Sequence, residues 1–231
     1  MQDRGKIALD PRLSMIARLV GNCPCVADIG CDHGRLGAFL LQSGQCDRAQ
    51  LTDISAPSLE KARRLMENLG LSHRVTFCVG NGALALEGPA QVVVIAGMGG
   101  TTIAQIIREG RERLGDARLV LEPNVAAPQL REGLSECGYA ITDERIAKDG
   151  RKNYVVIQAE PGASRYSARE RIVGPVLLRR MPEELLPYAR FRLRVAEKAL
   201  VGARTSADIS QQAPLLEEIS VWEEVCTCLQ R

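Results

Sequence analysis

Val26-Ala27-Asp28-Ile29-Gly30-Cys31-Asp32-His33-Gly34-Arg35-Leu36-Gly37 decides how this chain folds. A short apolar run ends in an acid, a glycine-studded turn follows, and a helix-like pattern opens after it. That order describes a buried strand feeding a helix through a tight loop, as in the first unit of a doubly wound sheet. Gly30 and Gly34 let the backbone come close to a ligand and take dihedrals that other residues resist. In such a sheet, ligands bind outside the carboxyl end of the first strand.

The acids of the turn narrow the ligand. A G-x-G-x-x-G turn presents amides and a helix N-terminus to a pyrophosphate. Here that pattern is missing, and Asp28 and Asp32 stand around the loop instead. Carboxylates repel a diphosphate and suit a cofactor with a cation or a free amine. S-adenosylmethionine carries both, as a sulfonium and an α-amino group. The plain alternative is a strand-to-helix turn that binds nothing.

Working outward, Asp10-Pro11 is a cap and first-turn proline for a helix with Leu13, Ile16, Ala17 and Val20 on one face. Downstream, 49–54 reads as a second strand. Asp53 stands at its end, 23 residues after Gly30, where an acid can hold a ribose diol. Its alternative is a cap or turn acid, although Ser55-Ala56-Pro57 already supplies a cap. A third strand over 74–79 leads to Gly80-Asn81-Gly82, which can bond an adenine edge or simply turn the chain. The β-branched run Val92-Val93-Val94-Ile95 is a central strand buried on both faces. Gly97-Met98-Gly99-Gly100 is expected to end it, before a helix over 101–114. A fifth strand over 118–121 precedes Glu122-Pro123-Asn124. After a helix marked by Leu130, Leu134 and Cys137, strands over 139–147 and 154–159 form a hairpin turned by Asp149-Gly150-Arg151-Lys152.

The expected fold is therefore α/β: a Rossmann-like sheet of seven strands whose last hairpin gives one antiparallel strand. The turns after strands one, three and four, and the acid after strand two, gather on one edge. That convergence favours a nucleoside-bearing cofactor over any reading of a single turn.

After Glu160-Pro161-Gly162 the pattern changes, which divides the chain into a cofactor domain over 1–162 and a helical appendage over 163–231. Leu186, Ala189, Leu193, Ala196 and Leu200 form one helical seam, and Leu215, Ile219, Trp222, Cys226 and Leu229 form another. The two helices should pair antiparallel across 205–212. From Arg165 to Arg204 ten basic residues face four acidic ones, whereas one basic and five acidic residues follow. The basic helix can hold a phosphate backbone, or Arg190, Arg194 and Lys198 can pair with Glu217, Glu218, Glu223 and Glu224.

Composition excludes other classes. A net charge of +2 demands neither nucleic acid nor membrane by itself. No window approaches the roughly 18 to 20 apolar residues of a membrane span. Met1-Gln2-Asp3-Arg4-Gly5-Lys6 lacks a signal-peptide core, so the expected setting is the cytoplasm. Eight cysteines include the pairs Cys23-Pro24-Cys25 and Cys226-Thr227-Cys228, which are not zinc spacing. Buried thiols and no metal are expected.

Ala27-Asp28-Ile29-Gly30-Cys31-Asp32-His33, Gly80-Asn81-Gly82, Ile95-Ala96-Gly97-Met98-Gly99-Gly100 and Pro123-Asn124 together resemble the bacterial tRNA methyltransferases that act on N1 of adenine 22. The resemblance runs over nearly the whole chain, and Ala-Gly-Met-Gly-Gly is its specific part. This chain has Glu122 where the family often has Gln, Cys31 for a frequent Ser, and Asp53 for a common Glu. The resemblance implies S-adenosylmethionine as donor and tRNA as substrate. It places Asp28, Gly30, Asp32 and Gly34 around the methionine part, Asp53 by the ribose and Asn81-Gly82 by the adenine, counts His33, Ile54, Gly97 and Met98 among the cofactor-binding residues, and makes Gly97 to Gly100 the floor where the target base enters. Arg12, Gly99, Gly100, Glu122 and Pro123 would meet the substrate, and Asn124 would orient the base. A small-molecule methyltransferase and a non-catalytic RNA-binding relative are the alternatives. An oxidoreductase is disfavoured by the acidic first turn.

Overall fold

The computed structural model describes residues 5–150, 152–205 and 212–230. Met1–Arg4, the turn residue Arg151, the connection over 206–211 and Arg231 lie outside the described residues. The chain divides into two compact units, one through Arg165 and the other from Tyr166.

The first unit is built on seven strands: β1 (Cys23–Ile29), β2 (Cys46–Asp53), β3 (Val75–Val79), β4 (Val92–Gly99), β5 (Arg118–Val125), β6 (Tyr139–Asp149) and β7 (Lys152–Pro161). Their order is β3-β2-β1-β4-β5-β7-β6. The first five are mutually parallel. β7 alone runs against them, paired with β5 and β6. The order reverses between β1 and β4, so a crevice opens there at the carboxyl ends. Val92, Val93, Val94 and Ile95 are buried, as a strand covered on both faces requires.

Helices cover the sheet. In α1 (Pro11–Val20), Asp10 accepts from the Leu13 amide at 2.7 Å, and Ile16, Ala17 and Val20 are buried. α2 (Arg35–Gln42) follows the opening turn, and α3 (Ala56–Leu69) is capped by Ser55. The expected long helix after β4 is broken at Gly110 into α4 (Gly100–Glu109) and α5 (Arg111–Leu114). α6 (Ala127–Glu136) is tied to β6 by the buried Arg131–Glu144 pair at 2.8 Å.

β4 and β5 run further than the sequence suggests. Gly97 to Gly99 and Glu122 to Val125 are paired strand, not turn, with register shifts on either side of Met98. A glycine run and a proline usually signal the end of a strand. Here the irregular pairing accommodates both and carries the two strands beyond the neighbouring sheet edge.

The second unit contains two short helices that no seam announces, α7 (Ala168–Val173) and α8 (Pro175–Arg180), which bury Val173, Val176 and Leu177. α9 (Leu185–Thr205) and α10 (Gln212–Cys228) then pack antiparallel: Tyr188 meets Trp222 edge-on at 5.7 Å, and Arg192 meets Glu218 at 2.7 Å. The cross-helix pairs are not those the sequence suggests. Arg192 and Arg169 take Glu218 and Glu224, while Arg190, Arg194 and Lys198 are exposed and make no ion pair among the described residues. Arg192 sits half-buried beside the seam, and Arg190 lies near enough to α10 for its charge to act on Cys226.

Candidate active site at the carboxyl edge of the sheet

The opening turn is built by backbone hydrogen bonds to its neighbour strand. The amides of Gly30 and Cys31 both donate to the Thr52 carbonyl, at 2.8 and 3.0 Å. Gly30, Asp32 and Gly34 all have positive φ, so the turn winds tightly before α2 begins. Asp53 organises the same loop. Its carboxylate accepts from the Asp32 amide at 3.1 Å and from the Ser55 amide at 2.8 Å. The turn-acid role and a ligand role are compatible, because each carboxylate oxygen has a further lone pair.

A cavity of about 360 Å³ opens on this turn, lined by Asp28, Gly30, Asp32, His33, Gly97 and Arg12 among others. Asp28 is buried at its base, where desolvation, reinforced by Asp53 and opposed by Arg12, raises its pKa to about 7. At the rim His33 Nδ1 meets Asp32 at 2.6 Å. Asp28 and Asp32 share the lining with Arg12, Arg35 and His33, in a space whose size suits a nucleoside-bearing molecule. The carboxylates in or beside the cavity are those of Asp28, Asp32 and, through its bond to the Asp32 amide, Asp53.

Ile54, Asn81 and Gly82 do not line that cavity. They lie past the carboxyl ends of β2 and β3, with Ile54 75% exposed. Val79, the register partner of Asp53, is also exposed. Two bare aliphatic side chains on adjoining strand ends suit the faces of a flat ring.

The other wall is the β4–β5 junction. Glu122 is fully buried: its Oε2 accepts from Arg12 Nη1 at 2.8 Å and from the Gly97 amide at 3.0 Å. Burial raises its pKa, against the pull of Arg12 and Gly97. One residue pair further along, Asn124 Nδ2 donates to the Gly97 carbonyl at 2.7 Å. β5 therefore grips Gly97 through both its amide and its carbonyl. Asn124 is exposed, and its Oδ1 has no hydrogen bond among the described residues. Pro123 is buried opposite Met98, and Met98 Cε packs against Gly30. Gly99 ends β4 and Gly100 opens α4. Arg12 also lies over the Tyr154 ring, with Cζ 5.7 Å from its centroid.

Sequence reasoning missed Leu13, Cys31, Arg35, Leu36 and Ala96 as lining residues. Arg35 and Leu36 directly follow Gly34, so adjacency to the turn could have found them. Leu13 comes from α1, and only the folded packing brings it there.

A methyltransferase-domain family model matches residues 9–157. The tRNA (adenine(22)-N(1))-methyltransferase of Bacillus subtilis is 31% identical over 224 residues, covering 93% of this chain and 94% of that one. The chain belongs to this methyltransferase family. The crystal structure of the Bacillus subtilis M1A22 tRNA methyltransferase TrmK aligns over 95% of this chain and 99% of that one, with a TM-score of 0.84 and 28% identity. Streptococcus pneumoniae Sp1610 in complex with S-adenosyl-L-methionine aligns over 95% of this chain and 100% of that one, with a TM-score of 0.84 and 27% identity. The seven-stranded sheet and the C-terminal helices are thus family features. Among the described residues no cluster of metal ligands occurs, and no helix is long and apolar enough to cross a membrane.

Proposed function

We infer that this protein transfers the methyl group of S-adenosyl-L-methionine to N1 of adenine 22 in tRNA. The observation that carries the reading is the cavity holding Asp28 and Asp32 beside the gripped Gly97, in a chain that aligns nearly end to end with a relative named for that reaction. Bound there, the cofactor supplies an electrophilic methyl group on a sulfonium centre. Asp28 and Asp32 face the positive charge, Asp53 takes the ribose, and Ile54 with Asn81-Gly82 borders the adenine.

Adenine N1 is an in-plane lone pair, so the reaction needs no strong base. It needs a base freed from pairing and stacking and held in line with the methyl group. Asn124 Oδ1 is free to accept from the adenine N6 amino group while its Nδ2 holds Gly97. Glu122, sealed beneath Gly97, acts by fixing that backbone rather than by touching the base. We expect Asn124→Ala to lower kcat about tenfold, the worth of one hydrogen bond, with cofactor affinity unchanged. Single-turnover kinetics and calorimetry check this, and full activity removes the role.

Arg190, Arg194 and Lys198 recur every four residues along α9 and stay unpaired among the described residues, which favours the tRNA backbone as their partner. Replacing all three by Ala should weaken tRNA binding and reduce the salt dependence of log K by about two to three. An unchanged slope would assign tRNA binding elsewhere. The reaction itself is tested by incubating the protein with labelled S-adenosylmethionine and unmodified tRNA, followed by nucleoside mapping. N1-methyladenosine at position 22 is expected, and no product on any tRNA overturns the assignment.

A further inference from the structure

The amino edge of the sheet carries a cluster that methyl transfer does not use. Cys23 opens β1, Cys46 opens β2, and the two are register partners. Both are free thiols, with their sulfurs 3.2 Å apart. They differ in access. Cys46 is 1% exposed and Cys23 9%. Cys23 belongs to the wall of an open depression of about 500 Å³, shared with Asn22, Pro24 and Arg118. Arg118 Nε is buried there without a hydrogen-bond partner.

The two thiols also differ in acidity. The hydrogen bond shared with Cys46, helped by the Arg118 charge, lowers the Cys23 pKa despite burial and Asp47. The same bond, with burial, raises that of Cys46. An outer thiol beside the Arg118 charge therefore lies against a sealed inner thiol. Reactive cysteines have the first property, because the thiolate is the nucleophile. Closing a disulfide needs the second thiol within reach.

We propose that Cys23 and Cys46 are an oxidisable dithiol that a hydroperoxide converts into a disulfide joining β1 to β2. The Cys23 thiolate attacks one peroxide oxygen, the O–O bond breaks, and the leaving oxygen departs as water after taking a proton. Cys23 is then a sulfenic acid. The Cys46 sulfur displaces its hydroxyl group, the S–S bond forms, and the Cys46 proton leaves with the second water. Two thiols are oxidised and one hydrogen peroxide is reduced to two waters.

The crosslink joins strand ends already in register, with the Cys23 amide donating to the Gln45 carbonyl at 2.9 Å. The cofactor turn begins at the other end of β1, after Ile29. Oxidation should therefore restrain the unfolded chain and leave cofactor binding alone.

The test treats the full chain with equimolar hydrogen peroxide, alkylates remaining thiols, and maps peptides without reductant. A Cys23–Cys46 linked peptide is expected, reversible by dithiothreitol, with Tm raised by roughly 5 °C and unchanged affinity for S-adenosylhomocysteine. In Cys46→Ser, dimedone should trap a sulfenic acid at Cys23. In Cys23→Ser, Cys46 should stay unmodified. Oxidation confined to other cysteines such as the exposed Cys228 overturns the proposal. So does Cys46 reacting equally fast without Cys23.

Discussion

Gly100→Ala is expected to destabilise the protein by about 3 kcal/mol, the upper end for overpacking, whereas Gly99→Ala leaves stability within about 0.5 kcal/mol. The two glycines are adjacent, and the sequence treats them alike. A Cβ on Gly100 would stand 2.1 Å from the Ala126 carbonyl oxygen, 2.7 Å from its carbon and 3.0 Å from the Val125 oxygen. These are backbone atoms, which cannot rotate aside as a side chain does. Gly99 has φ −67 and ψ 143, ordinary extended values, and a Cβ there meets nothing closer than 3.7 Å. Ala126, the residue Gly100 abuts, already has a positive φ of 59, so the junction has little freedom to yield. Because α4 starts at Gly100, moving it also moves Gly97 away from Glu122 and Asn124. Gly100→Ala should lose activity with stability, and urea midpoints at constant m measure the second. Equal midpoints for the two variants would refute the packing argument.

The pair shows what local sequence can express. Ala-Gly-Met-Gly-Gly marks a place where backbone approaches something closely, but it does not say which glycine is constrained or by what. The answer lies in Val125 at the end of the adjoining strand and Ala126, which caps α6. The opening turn was more legible, because strand, glycines, acids and helix lie within twelve consecutive residues. The place of Asp53 at the end of β2 was legible in the pattern of the strand. Arg12 and Glu122 are separated by 110 positions, and no periodicity connects them, so their ion pair emerges only from the packing of α1 on the sheet. The strand extensions through Gly97 and Pro123 were hidden for a different reason: both residues usually end strands, and the shifted register between β4 and β5 admits them. In the second unit the seams of α9 and α10 follow helical spacing. α7 and α8 are too short for periodicity to announce them. Which arginine pairs across the seam depends on a side-chain direction that spacing leaves open, and Arg192 rather than Arg190 or Arg194 has it.

Asp28→Asn is expected to weaken S-adenosyl-L-methionine binding roughly tenfold to a hundredfold, the range for losing one charged hydrogen-bond partner. The wild-type pH dependence is the sharper measurement. Burial raises the Asp28 pKa from an ordinary 3.8 to about 7, with Asp53 adding to the shift and Arg12 opposing it. The folded, ligand-free protein thus prefers the protonated acid. That contribution to stability is complete below about pH 4 and is lost as pH rises toward 7. Cofactor binding has the opposite sign, because a cation or ammonium prefers the ionised carboxylate. Affinity should therefore climb roughly tenfold from pH 6 to 7.5, as Asp28 ionises in the free protein. Over most of this window an α-amino group of ordinary pKa remains protonated, and its own titration would lower affinity rather than raise it. Binding should also release a proton, visible in calorimetry as a dependence on buffer ionisation enthalpy. Asp28→Asn should flatten the profile and remove the proton release. If the wild-type affinity is flat over this range, or the variant keeps the same rise, Asp28 does not face the cofactor's positive charge. The carboxylates of Asp32 and Asp53 would then carry that recognition.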